Sequence, residues 1–256
     1  MATHQGKVQE FWNDRARFGQ NAGTNDFMLK ILEERVLLEH IPEGSEVLDI
    51  GCGNGSTLIR LVKEKRCRGV GLDYAENLLE LANKTAIEQG LQENIGFRKQ
   101  DIRNLRSEPG TFQNIFTQRC LINLESLEEQ EKAFGSILDL LPSGGRYYMI
   151  EAFNDGNQAL NDLRQPLGLE PMTAPWHNLF FNLVEVYQWE MRHPVKLQTV
   201  IHFASTYYFV SRVIYAKQAA ERGEVLQYDS DLNRISLMLP PVGEFGATKL
   251  IVWSKI

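Results

Sequence analysis

The stretch Val47-Leu48-Asp49-Ile50-Gly51-Cys52-Gly53-Asn54-Gly55-Ser56 constrains this chain more than any other. A short apolar run ends on an acid, glycines follow at alternate positions, and apolar spacing resumes at Leu58, Leu61 and Val62. That order predicts a buried parallel strand, a tight turn and a helix N-terminus. Glycine suits such a turn because it tolerates positive φ and lets a ligand approach the backbone. A dinucleotide site wants Gly-x-Gly-x-x-Gly, with a pyrophosphate on the helix N-terminus. Here the third glycine comes one position early and Ser56 stands where Gly or Ala is wanted. A carboxylate shortly before Gly51 would also oppose an anion.

The same rhythm repeats downstream. Gly69-Val70-Gly71-Leu72-Asp73-Tyr74 reads as a second strand ending in an acid, 24 residues after Asp49. A carboxylate there can accept both hydroxyls of a ribose, which supports nucleoside binding of either kind. A helix through Leu78, Leu79, Ala82 and Ala86 stops at Gly90, and Ile95 to Gln100 forms a third strand before Asp101 and Ile102. Phe112 to Thr117 is the fourth, leading into Gln118 and Arg119. Ser126 and Glu129 fit a capping box for a helix that ends at Pro142-Ser143-Gly144-Gly145, and Arg146 to Glu151 is the fifth strand. Strands alternating with helices imply a parallel sheet, whose ligands bind beyond the strands' carboxyl ends. Asp49 to Gly55, Asp73, Asp101, Gln118 and Glu151 all fall there.

Asp49-Ile50-Gly51-Cys52-Gly53-Asn54-Gly55 resembles the first motif of class I S-adenosylmethionine-dependent methyltransferases. Their cofactor carries a sulfonium and an ammonium and no phosphate, so an acidic, glycine-rich turn suits it. The resemblance implies an α/β, Rossmann-like, doubly wound sheet of seven mainly parallel strands with the last one antiparallel. It also implies S-adenosyl-L-methionine as cofactor. Asp49, Gly51, Gly53 and Asn54 would form the turn around it, with Asp73 at the ribose and Tyr74 either at the adenine or ribose or in the core. Asp101 would accept from the adenine amino group, Ile102 would pack on the ring, and Gln118 would close the strand end. The motifs cover roughly 45–151, and the remainder matches by layout. The Asn/Asp-Pro-Pro-Tyr/Phe tetrad of nucleobase-amino methylating enzymes is absent, as is a histidine near Asn123.

Outside the core, residues 1–42 read as two helices, the second capped within Thr24-Asn25-Asp26. By resemblance they form a lid, with Arg15 and Arg17 on it. Residues 152–197 form a helical insertion after the fifth strand, the usual place for substrate recognition in this family. The remaining 198–256 close the sheet, with a strand at Thr199 to Ala204, a helix from Thr206 to Glu221 and a last strand at Gly246 to Trp253. Tyr207 and Tyr208 are candidates for the pocket mouth. His177 lies between Trp176 and Asn178 in a loop of the insertion. An imidazole titrates near neutrality and can take a proton from a hydroxyl acceptor. His202 and Glu151 are alternative bases. Arg119, Arg15 or Arg212 can hold an anionic acceptor through a fork of donors.

Composition bounds these readings. A net charge of -6 without a dense basic block argues against nucleic acid as a partner. Cys52, Cys67 and Cys120 lack metal-ligand spacing and read as reduced cytosolic thiols, and no metal constellation is evident. No signal pattern opens the sequence and no run approaches a membrane span, so a cytoplasmic protein is expected. These features together lead to methylation of a small molecule, on an oxygen of an anionic or sugar-like acceptor. A nitrogen or carbon acceptor, a nicotinamide-dependent oxidoreductase and a non-catalytic adenosylmethionine-binding protein are the alternatives. Oligomeric state is not legible.

Overall fold

Strand β1 (Glu46–Ile50) has β2 (Arg68–Asp73) on one side and β4 (Asn114–Gln118) on the other, all parallel. The computed structural model that describes this arrangement covers residues 3–105 and 110–256. Strand β3 (Ile95–Lys99) extends the sheet beyond β2, and β5 (Arg146–Ala152) beyond β4. β7 (Thr248–Lys255) inserts antiparallel between β5 and β6 (Val195–Ile201), giving the order β3-β2-β1-β4-β5-β7-β6. The expected seven-stranded, doubly wound sheet is therefore present. The direction in which successive strands are added reverses between β1 and β4, the switch point at which open α/β sheets leave a crevice.

Helices occupy both faces. Ordered along the chain they are α1 (His4–Arg15), α2 (Phe27–His40), α3 (Ser56–Lys65), α4 (Glu76–Glu88), α5 (Leu127–Asp139) and α6 (Asn154–Arg164). The short α7 (Leu183–Tyr187) and α8 (Trp189–Arg192) precede β6, and α9 (Ser205–Phe209), α10 (Tyr215–Arg222) and α11 (Asp231–Ser236) follow it. The central strands alternate between two cores, as period-two geometry requires. Tyr147, Met149, Ile251 and Trp253 pack on α5 and α8, while Tyr148, Ile150, Leu250 and Val252 pack on α2, α3 and α9. Strands buried on both faces explain the unbroken apolar runs. Among the described residues no helix is long and apolar enough to cross a membrane.

Three expectations need correction. The sixth strand starts at Val195 and ends at Ile201, so the insertion stops before it and His202 to Ala204 already turn into α9. The helix expected from Thr206 to Glu221 is broken by a π turn over Val210–Ile214, invisible to a 3.6-residue period. Tyr207 and Tyr208 are core residues, not pocket-mouth residues: their hydroxyls bond Asp26 and Thr248. The capping box also forms in altered form. Ser126 Oγ accepts from the Glu129 amide at 3.1 Å, but Glu129 reaches back to the amide of Glu125 instead of Ser126.

Two buried carboxylates tie the elements together. Asp26 caps α2 by accepting from Leu29 N–H at 3.1 Å, and it pairs with the buried Arg212 of the π turn. The Arg164 guanidinium donates to the Arg212 carbonyl, and the Tyr228 ring lies 4.4 Å from the Arg212 guanidinium. Glu151, fully buried at the end of β5, accepts from the amides of Cys120, Leu121 and Ile122 at 3.1, 3.0 and 3.3 Å. It thereby shapes the 3-10 turn Leu121–Asn123. Burial pushes its carboxyl up to about 7.

Removing one partner of a buried ion pair typically costs about 3–5 kcal/mol, because the other charge is stranded. Arg212→Met is expected to lose that much in urea unfolding, and adding Asp26→Leu should recover a large part of it. For Glu151, a folded-state pKa above the unfolded value means that its protonated form is favoured by folding. Its contribution is complete below about 4.5 and disappears as pH rises through about 7, on the order of 3 kcal/mol. Unfolding free energies across that window should therefore slope less in Glu151→Gln than in the wild type. An unchanged slope would contradict the assignment.

Candidate active site

A cavity of about 340 Å³ opens at the carboxyl ends of β1, β2 and β4, within the range of small-ligand pockets. Its floor is the glycine turn. Gly51 has φ +75°, and a Cβ there would meet Cys120 Sγ at 2.4 Å, so the backbone of β1 and the Cys120 side chain approach as closely as they can. Gly53 differs: at φ +53°, the nearest atom to a built Cβ is 4.0 Å away, and the residue faces the cavity. Asp73 fixes this turn, accepting from Gly53 N–H and Ala75 N–H, each at 2.8 Å. A carboxylate has about four lone-pair directions, so acceptor capacity is left for a ligand.

Asp49, Asp73, Tyr74, Asp101, Ile102 and Gln118 all line the cavity, together with Gly51, Gly53 and Asn54. Burial raises Asp49 to about 8, against the nearby Lys30 ammonium, which lowers it, and burial also raises Asp73. Burial disfavours the charged form of both carboxylates, and a cationic ligand in the open space beside them would favour that form again. Asp101 is differently engaged from the expectation. Arg103 grips it with Nε at 2.9 Å and Nη2 at 2.6 Å, and this partner holds its carboxyl below the usual range despite burial. Asn54 donates its amide to the carbonyl of Gly19 at 3.1 Å, joining the turn to the N-terminal segment.

Gln118 is the centre of a network that sequence inspection missed. Its Oε1 accepts from Lys30 Nζ at 3.0 Å and Thr57 Oγ1 at 2.7 Å, and its Nε2 donates to the fully buried Glu33. Arg119 Nε lies 3.0 Å from Glu33 Oε1, and neither atom has a hydrogen-bond partner among the described residues, so the contact is an ion pair without a hydrogen bond. Arg119 also has φ +53°, a backbone state costly for a residue with a side chain. The available signal was Glu33 itself, a carboxylate on the same stripe of α2 as Leu29, Leu32, Val36 and Leu37.

The other side of the cavity is closed by α1 and residues 175–178. Trp12 Nε1 donates to Asn123 Oδ1 at 3.1 Å, and Gln9 donates to the Tyr74 carbonyl. His177 lies against Phe11, with ring centroids 4.5 Å apart and planes 32° apart, and meets Trp12 and Trp176 edge-on. Burial, then the charges of Arg15 and His4, lower its pKa, so the imidazole is neutral at neutral pH. Its Nδ1 is enclosed without a hydrogen-bond partner among the described residues, which makes Nε2 the nitrogen available for proton exchange. Arg119 and Arg15 reach the cavity. Glu151 does not line it: its oxygens are committed to backbone amides behind the 3-10 turn. His202 and Arg212 lie elsewhere too, His202 near Lys249 and Arg212 on Asp26.

This donor set fits S-adenosylmethionine: buried carboxylates without enough cations around them, an open glycine backbone, and no phosphate cradle. Comparison with known proteins agrees. Residues 41–190 match the model of a methyltransferase domain family. A ubiquinone biosynthesis O-methyltransferase from Coxiella burnetii is 28% identical over 148 residues, which cover 58% of this chain and 59% of that protein. The sterol 24-C-methyltransferase erg6 from Aspergillus fumigatus is 27% identical over 167 residues, 62% of this chain and 43% of that one. The matched segment thus spans only about two fifths to three fifths of these relatives. In three dimensions, geranyl diphosphate C-methyltransferase from Streptomyces coelicolor A3(2) superposes with a TM-score of 0.60 at 13% identity, over 89% of this chain and 80% of that one. Motif, sheet order and family match converge, and the chain belongs to the class I S-adenosylmethionine-dependent methyltransferase family.

Proposed function

We infer that this protein transfers a methyl group from S-adenosylmethionine to an oxygen of a small anionic molecule. The observation that carries the reading is the division of one cavity into an acidic end, at Asp49 and Asp73, and an outer end where Arg15 adjoins a neutral His177. Asp49, Gly51, Gly53, Asn54, Asp73, Tyr74, Asp101, Ile102 and Gln118 are the residues assigned to the cofactor. When bound, that cofactor supplies a methyl group activated on a sulfonium. His177 would accept the proton of a hydroxyl acceptor at Nε2, and Arg119 and Arg15 would orient an anionic group. Residues 1–42 would act as the lid and the insertion between β5 and β6 would select the acceptor, with α1 and residues 175–178 excluding water. Orientation of this kind can contribute roughly 7–11 kcal/mol to lowering a barrier.

One named relative is an O-methyltransferase of ubiquinone biosynthesis and the other a sterol 24-C-methyltransferase, so they do not choose between oxygen and carbon. Methylation of carbon or nitrogen would dispense with the base, and His177 then distinguishes the readings. Calorimetric titration with S-adenosylmethionine, S-adenosylhomocysteine and NADH tests the cofactor. The first two should bind saturably and NADH should not, and Asp73→Asn should weaken binding by about tenfold, the worth of one charge-assisted hydrogen bond. Binding of NADH alone, or of none, would overturn the reading. With an accepted acceptor, the acid limb of the rate profile should fall below the ordinary histidine pKa near 6.5. His177→Gln should abolish that limb, and a limb that persists in the variant removes His177 from the proton step.

A further inference from the structure

We propose that the acceptor is a planar aromatic anion, its ring against Phe11, Trp12 and His177 and its negative group on Arg15. This rests on the methyl-transfer reading of the cavity. Among the described residues, Arg15 is the cation near the cavity whose charge is uncommitted. Arg119 pairs with buried Glu33 at 3.0 Å, Arg103 grips Asp101, and Lys30 lies 3.7 Å from Glu34 and is bound by Gln118 and Thr57. Arg15 pairs with no carboxylate among the described residues. Its Nε and Nη2 donate to neutral partners, the carbonyls of Ala22 and Asn21 and the side chain of Asn25. A guanidinium has five donors, and no described group takes those on Nη1.

The charge is felt locally. Burial, and after it the charge of Arg119, lowers the pKa of Arg15, and burial followed by the charge of Arg15 lowers that of His177, so basic groups adjoin one another at the outer end. Among the described residues that line the cavity, Glu125, exposed, is the carboxylate at this end, and Asp49, Asp73 and Asp101 belong to the opposite end. An amine or other cation is disfavoured here.

The walls specify flatness. Phe11, Trp12 and His177 line the main cavity, and Trp176 lines a second hollow of about 290 Å³ that shares His177 and Asn178 with it. Phe11 and Trp176 are perpendicular, at 5.9 Å and 81°, as are Phe11 and Trp12, at 5.2 Å and 78°. Perpendicular rings present faces and edges to an inserted ring, the arrangements that aromatic pairs prefer. The Arg15 guanidinium is 5.9 Å from the Phe11 centroid, so cation and ring stand side by side. A sugar would need several hydrogen-bonding partners, whereas the side-chain polar atoms left unpartnered here are few, chiefly Asn178 Oδ1 and the Nη1 of Arg15, and Asn123 is already engaged. Asn123 accepts from Trp12 and donates to the carbonyls of Arg119 and Cys120.

The test is titration of the S-adenosylhomocysteine-saturated protein with 3,4-dihydroxybenzoate, catechol, cyclohexanecarboxylate and glucuronate. Dihydroxybenzoate should bind about tenfold or more tighter than catechol, which lacks the anion, and than cyclohexanecarboxylate, which lacks the aromatic ring. Arg15 also braces its own loop, so two variants are needed. Arg15→Lys should keep most of the carboxylate preference, and Arg15→Gln should lose it. Equal loss in both variants, stronger binding of glucuronate, or no preference among the probes overturns the proposal while leaving the cofactor assignment standing. Failure of the wild type to bind S-adenosylhomocysteine overturns the methyl-transfer reading and the proposal with it.

Discussion

The carboxylate of Asp73 decides the shape of the glycine turn. By accepting from Gly53 and Ala75 it draws two successive loops, those after β1 and β2, onto one point. Glycines at positive φ cost conformational entropy to order, and this acceptor, with the Leu72 carbonyl that takes the amides of Gly51 and Cys52, offsets that cost. Glu151 applies the same device on the other side of the switch point, gathering three amides into the turn after β4. The rim of the cavity is thus built from backbone folded around buried acids. The desolvation these acids suffer appears in their raised pKa values, and it is the cost of a rim that exposes so much main chain.

The charge pattern follows from that construction. Acids cluster where strands end, because the backbone there has amides to spare, and this end favours a cationic ligand. Helices α1 and α2 bring the basic groups, Arg15 and Lys30, from the opposite side. Glu33 on α2 reaches under both Gln118 and Arg119, so the position of α2 and the conformation of the β4 end are coupled through one buried side chain. Arg119 in the left-handed region stores backbone strain at that same joint.

Much of this was legible in the sequence. The glycine turn, the acids at strand ends and the strand–helix alternation identify the sheet, because each depends on local backbone requirements written in consecutive residues. Boundaries were less legible where tertiary contacts override the pattern, as at Val195, which joins the sheet by pairing with Lys255 at the far end of the chain. The site was read by position alone, so Glu151 was assigned to the cavity because it ends a strand. The sequence does not show that its oxygens turn back to amides 120–122. The partners Lys30, Glu33 and Trp12 are far in sequence from what they touch, and only the packed fold brings them together.

The π turn at Val210–Ile214 amounts to one residue more than an α-helix needs over the same length. Each residue of an α-helix advances the side-chain direction by about 100°. Deleting one residue there would restore a continuous helix but turn Arg212 or everything after it away from its present bearing. Either Asp26 or the stacked ring of Tyr228 would lose its partner. The extra residue therefore acts as a phase adjustment. It lets the helices before β7 face the sheet while a single guanidinium still points at the foot of α2. The N-terminal segment that covers the cavity is in this way registered against the C-terminal third of the chain, by a length of backbone and not by a surface.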